Sequence, residues 1–136
     1  MRCFLRVLVL LVACSCIVTD AGGQKNVFKA VVDTDGVQRV DVLAGEYFFN
    51  PDYIIVKVNV PVELKVRKEP GIVPHDFVLK APDAGVEVLE SLGSEPKSIR
   101  VTATKPGKYP FYCDKKLIFS KSHREKGMEG TLEVVE

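Results

Sequence analysis

"FYCDKKLIFSKSHREKGMEG" (Phe111–Gly130) puts one cysteine, one histidine and one methionine into one short stretch, with nine residues between Cys113 and His123 and four between His123 and Met128. Upstream, "KPGKY" supplies turn chemistry ahead of an apolar alternation, and downstream Leu132 and Val134 alternate again. Side chains on a strand point to opposite faces in turn, so Tyr109 and Phe111 share the face of Cys113 and pack inward, whereas Tyr112 points the other way.

Working outward, the same period of two recurs in Val40 and Val42, in Val56, Val58 and Val60, in Val62, Leu64 and Val66, and in Ile99, Val101 and Ala103. Turn signals separate these runs: Asp35-Gly36, Asn50-Pro51-Asp52, Glu69-Pro70-Gly71 and Lys105-Pro106-Gly107. Half-buried strands punctuated about every ten residues predict an all-β sandwich. Only Gly85 to Leu92 and Lys115 to Lys126 have helical character, so at most one or two short helices are expected. At 136 residues, 46% apolar and 27% charged, the chain suits one core. Its 19 basic and 18 acidic residues leave a net charge of +1, which implies no nucleic-acid partner.

The N-terminus is read separately. Arg2 and Arg6 precede the apolar run Val7 to Val18, a positive region followed by a hydrophobic region too short to span a membrane. Residues 1–21 are therefore expected to be a signal peptide, and 22–136 the functional domain. "LVAC" offers a lipobox with Cys14 as the lipidated residue, and "TDA" before Gly22 offers ordinary cleavage near Ala21. Ile17 and Val18 carry the apolar run past Cys14, which favours the second reading, with a lipid anchor kept as the alternative. Cys3, Cys14 and Cys16 then belong to the leader, and Cys113 alone is left in an exported domain. An unpaired thiol in an oxidising compartment needs burial or a bound partner.

With the leader subtracted, the domain holds His75, Cys113, His123 and Met128 and no further cysteine, histidine or methionine. A thiolate and two imidazoles with a weak thioether suit copper in both oxidation states, whereas methionine is a poor zinc ligand. A nucleophilic role for Cys113 would call for a base, an orienting partner and a thiol of lowered pKa, and no helix opens at Cys113 to supply the last.

The domain resembles the cupredoxins, the type 1 blue copper proteins. "EYFFNPDYIIVKVNVPVELKV" is similar to the family's early strands, "PHDF" to the loop that delivers its first histidine, "KPGKYPFYC" to the strand ending on its cysteine, and "GMEGTLEVV" to its methionine loop and last strand. The resemblance implies a Greek-key β-sandwich or barrel and one type 1 copper, held by His75, Cys113 and His123 with Met128 on the axis. It implies that Asp76 ties the ligand loops together, with Phe111 and Asp114 beside the ligands. It also implies that His123 forms a solvent-facing edge for outer-sphere electron transfer. The apolar "LIF" (Leu117, Ile118, Phe119) beside it reads either as part of a docking face or as a cover over the end of the barrel, and the local basic excess at Lys115, Lys116 and Lys121 either as steering for an acidic redox partner protein or as ordinary solvated surface. The expected protein is an exported, monomeric electron carrier, periplasmic or lipid-anchored and facing the periplasm, and not an enzyme. Copper delivery, or service as an accessory domain of an oxidase, is the alternative. The nine residues before His123 exceed the spacing of the small electron carriers and approach that of copper nitrite reductases.

Overall fold

A computed structural model describes residues 23–136; the expected leader and its Cys14 lie outside the described residues. Ten strands form: β1 (Val27–Lys29), β2 (Gln38–Gly45), β3 (Phe48–Asn50), β4 (Tyr53–Lys57), β5 (Val62–Lys68), β6 (His75–Ala81), β7 (Val86–Leu92), β8 (Lys97–Val101), β9 (Gly107–Tyr112) and β10 (Glu129–Val135). They make two sheets, one ordered β1, β4, β10, β9, β6, β7 and the other β3, β2, β5, β8. Most neighbours in space are not neighbours in sequence, so connections cross between the layers and the expected all-β Greek-key sandwich is what forms.

The inner faces are set by alternation. Val40, Val42 and Ala44 of β2 oppose Leu64, Val66 and Lys68 of the parallel β5, and the apolar members of that set are buried. From the larger sheet, Ile54 and Val56, Leu132 and Val134, and Tyr109 and Phe111 complete the core. One polar residue sits among them. The Gln38 amide accepts the Lys57 N–H at 2.7 Å and donates to the carbonyls of Lys57 and Val60 at 3.3 and 3.4 Å, so the β4–β5 turn has its backbone groups satisfied from inside.

Three sequence expectations are corrected. Gly85 to Leu92 is not helical: from Val86 onward it is β7, paired antiparallel along the whole of β6 from His75↔Leu92 to Ala81↔Val86. The apparent three-residue spacing of Val86, Leu89 and Leu92 misleads, because Leu89 is exposed while Val86, Val88 and Leu92 are buried, which is the period of a strand. Lys115 to Lys126 is not a helix either; only Arg124–Lys126 closes a single 3-10 turn, and a second such turn spans Pro82–Ala84. Val58 and Val60, read as continuing a strand, lie beyond the end of β4.

Beneath one end of the sandwich Phe49, Phe77 and Phe111 form an aromatic floor. Phe77 and Phe111 stack at 5.2 Å between ring centroids, and Phe49 meets them edge-on at 5.7 and 5.4 Å. Gly130 lies opposite Phe111 in the β9–β10 ladder, and a Cβ there would stand 2.3 Å from the Phe111 ring and 2.6 Å from the carbonyl oxygen of Asp52. Only glycine lets that ring lie flat against the neighbouring strand.

Candidate metal centre

The floor positions the site through the same alternation. His75 opens β6 two residues before Phe77, and Cys113 follows β9 two residues after Phe111, so both ligand-type side chains stand on the aromatic pair. His123 arrives from the loop. The Cys113 Sγ lies 3.5 Å from Nδ1 of His123 and 3.9 Å from Nδ1 of His75, and the two Nδ1 atoms are 3.2 Å apart. Nitrogen and sulfur donors that share one ion at about 2.0–2.3 Å stand roughly 3–4 Å from one another, so this triangle fits a single metal. These three residues are the group of metal-ligating side chains found among the described residues, and all three are buried.

Met128 is also fully buried, and the backbone ties it to Cys113 and His123. Its N–H donates to the carbonyl of His123 at 2.9 Å, and its own carbonyl accepts the N–H of Cys113 at 3.1 Å. The Asp76 carboxylate accepts the Asp114 N–H at 2.9 Å and lies 3.6 Å from the Lys115 ammonium, and the Asp76 N–H points at the Cys113 sulfur at 3.4 Å. Burial pushes the Asp76 pKa up, but the bonds from Asp114 and Cys113 and the charge of Lys115 bring it below the ordinary carboxylate value. Asp114, hydrogen-bonded to that carboxylate, moves the other way. Phe111 is the floor already described.

Burial lowers the pKa of both histidines, reinforced by each site's positive neighbours: His123 and Lys68 for His75, and Lys126 for His123. Near neutral pH both imidazoles are therefore free to offer a lone pair. Burial pushes the Cys113 thiol up to about 11, and the backbone N–H groups of Asp76 and Lys115 only partly oppose it. A thiol held neutral in this way is a weak nucleophile.

The long spacing between Cys113 and His123 does not stretch the site. Lys116 and Ser122 form an antiparallel bridge, the His123 N–H donates to the Lys115 carbonyl at 2.8 Å, and the Ser120 N–H closes a turn on Leu117 at 3.1 Å. The segment is extruded as a small hairpin whose base joins the two ligand positions, and Phe119 turns its tip with φ of 60°. At that tip Ile118 and Phe119 are almost wholly in solvent and Leu117 partly so.

His123 departs from expectation. It is not a solvent-facing edge: its side chain is fully buried, and its Nε2 is the one buried side-chain polar atom among the described residues with no hydrogen-bond partner. The Tyr47 ring packs on it in a T-shaped arrangement at 5.1 Å. Tyr47 was invisible to sequence reasoning, since its only signal is a two-residue turn, Glu46-Tyr47, that lacks the glycine or asparagine usual at a positive φ.

No protein-family model and no curated protein matches this sequence. Solved structures do. The metal binding domain of the Streptococcus pneumoniae D39 Cu(I)-exporting P-type ATPase CopA, determined with Cu(I), superposes with a TM-score of 0.61 at 26% identity over 84% of this chain and 100% of that one. This is a cupredoxin fold. An apo copper binding protein solved in solution agrees with the cupredoxin assignment at TM-score 0.58, 24% identity, 79% of this chain and 96% of that one. Auracyanin B agrees at 0.55, 20%, 79% and 94%. Among the described residues no helix is long and apolar enough to cross a membrane.

Proposed function

We propose that this cupredoxin holds one copper ion, of type 1, between His75, Cys113 and His123 with Met128 as the weak fourth ligand, and works as an exported carrier of single electrons. The observation that carries the reading is the buried triangle of one thiol and two imidazole Nδ1 atoms at 3.2, 3.5 and 3.9 Å. A copper ion there would pass between Cu(I) and Cu(II) while its protein ligands stay in place. The chain's own part is to fix those ligands: the hydrogen bonds of Asp76 bind the start of β6 to the loop after Cys113, and the aromatic floor keeps water from below. A periplasmic or lipid-anchored location rests on the N-terminal leader pattern, and a monomer on all three residues of the triangle coming from one chain.

Copper delivery is the second reading, and one observation favours it: a Cu(I)-bearing domain of a copper exporter is among the structures this fold matches. Loading the purified chain with Cu(II) and recording visible and electron paramagnetic resonance spectra, followed by cyclic voltammetry, tests the proposal. An intense thiolate-to-copper band with a small parallel hyperfine splitting and a reversible wave is expected. A colourless complex sinks the type 1 centre, and a blue one with no reversible wave shifts the assignment to delivery.

The hairpin suits docking of the redox partner, because the apolar tip Leu117-Ile118-Phe119 is exposed and Lys115, Lys116 and Lys121 flank it. Charge reversal at Lys115 and Lys116 is expected to slow electron exchange with an acidic redox protein about tenfold at low salt, within the range that electrostatic steering provides. An unchanged rate removes the basic flank from the docking surface.

A further inference from the structure

His75 and His123 sit in the same triangle but have different surroundings on their outer sides. His75 borders a recess of about 80 Å³ edged by Glu46, Lys68, Glu69, Gly71 and Val73. His123 is fully buried. Its ring meets Tyr47, whose hydroxyl is 3.1 Å from the Lys126 ammonium; the same ammonium lies 4.3 Å from the centre of the phenol ring. Lys126 belongs to the turn that follows His123, so cover and covered residue are clasped from both sides.

Two independent features set Tyr47 apart from ordinary packing. Its backbone has φ of 68°, in the left-handed region that costs a bulky residue energy and that glycine would occupy freely. The ring it packs against is that of His123, whose buried Nε2 goes without a hydrogen-bond partner. A strained residue packed on a ring that carries an unsatisfied polar atom combines two local costs, and such costs gather where a residue's position serves the site more than the fold.

We propose that Tyr47, seated by Lys126, is the residue that closes the metal centre on its His123 side, excluding water, small ligands and metal acceptors. This rests on the copper-site reading for its purpose but not for its test. With the Tyr47 ring in place, exchange at the centre must wait for the β2–β3 turn to move; without it, His123 faces solvent. Metal held behind such a cover leaves slowly even where its affinity is moderate, and the variant that opens the cover changes the rate of exit more than the affinity.

The experiment uses the metal-free full chain and diethyl pyrocarbonate, which acylates accessible neutral imidazole, with each histidine followed by peptide mass spectrometry. Tyr47→Gly relieves the backbone while removing the ring, so His123 is expected to react at least about tenfold faster while the denaturation midpoint stays near that of the parent. Tyr47→Phe keeps the ring and should stay within about threefold of the parent rate. Equal protection of His123 in Tyr47→Gly and parent overturns the proposal, as does a Tyr47→Phe variant as reactive as Tyr47→Gly. A large fall in midpoint with amide exchange raised across β9 and β10 also overturns it, since Tyr47 would then be a structural residue. In parallel, Cu(I) loaded on each variant is withdrawn by a competing chelator, with faster exit expected from Tyr47→Gly. If no variant binds copper, the copper reading fails, and the imidazole reactivities still decide whether Tyr47 is the cover.

Discussion

Cys113→Ser should abolish the thiolate-to-copper band and lower copper affinity about a hundredfold or more, a larger loss than the ten- to hundredfold that follows from disturbing groups around ligands. The reason is chemical softness: a hydroxyl is a hard, neutral donor, whereas the thiolate is the anionic ligand that suits copper. The metal-free domain should hardly notice, because serine is nearly isosteric and the Asp76 N–H that points at sulfur can donate to its oxygen instead. A change in unfolding free energy of about 1 kcal/mol is expected. The variant also removes a proton from the binding equilibrium. The Cys113 thiol, pushed up to about 11 by burial, must lose its proton to bind. Between neutral pH and that value the parent's apparent affinity therefore rises about tenfold per pH unit, and Cys113→Ser should lose that slope. Competition titrations at three pH values check both parts. A serine variant that keeps the band, or keeps the slope, moves the site away from Cys113.

The strands and the grouping of His75, Cys113 and His123 were legible because each is a local or subtractive property. Alternation in β2, β4, β5, β9 and β10 follows from one face being buried, and the four ligand candidates stand out once the leader cysteines are set aside. What was not legible depended on partners far along the chain. β7 resembles a helix in its own spacing, and becomes a strand because β6 offers it a complete antiparallel edge from His75 to Ala81. The nine residues before His123 carry no hairpin signature such as Asn-Gly; the bond from the His123 N–H to the Lys115 carbonyl closes them into one. The burial of His123 depends on Tyr47, which comes from the other sheet's turn and adopts a backbone conformation no propensity would assign it.

Phe111→Ala should have the largest effect on the fold itself, a loss of about 3–5 kcal/mol, which is a large share of the roughly 5–15 kcal/mol by which domains are stable. Three features put it at the upper end. The ring is fully buried, it is held between Phe77 and Phe49, and Gly130 opposite has no side chain to fall into the space. The hole would be lined by two rings and by strand backbone that other ladder bonds hold in place, so it cannot collapse. Chemical denaturation of the metal-free chain measures the loss, and Phe111→Leu, which restores most of the volume, should recover more than half of it. Cys113 is two residues away on the same face, so the variant also tests whether the floor positions the ligands. If it does, metal affinity in Phe111→Ala falls under conditions where the chain is still folded, and it returns in Phe111→Leu with the recovered stability. A loss of stability below about 1 kcal/mol would mean that β9 is held by its ladder alone and that the aromatic floor is not what fixes Cys113.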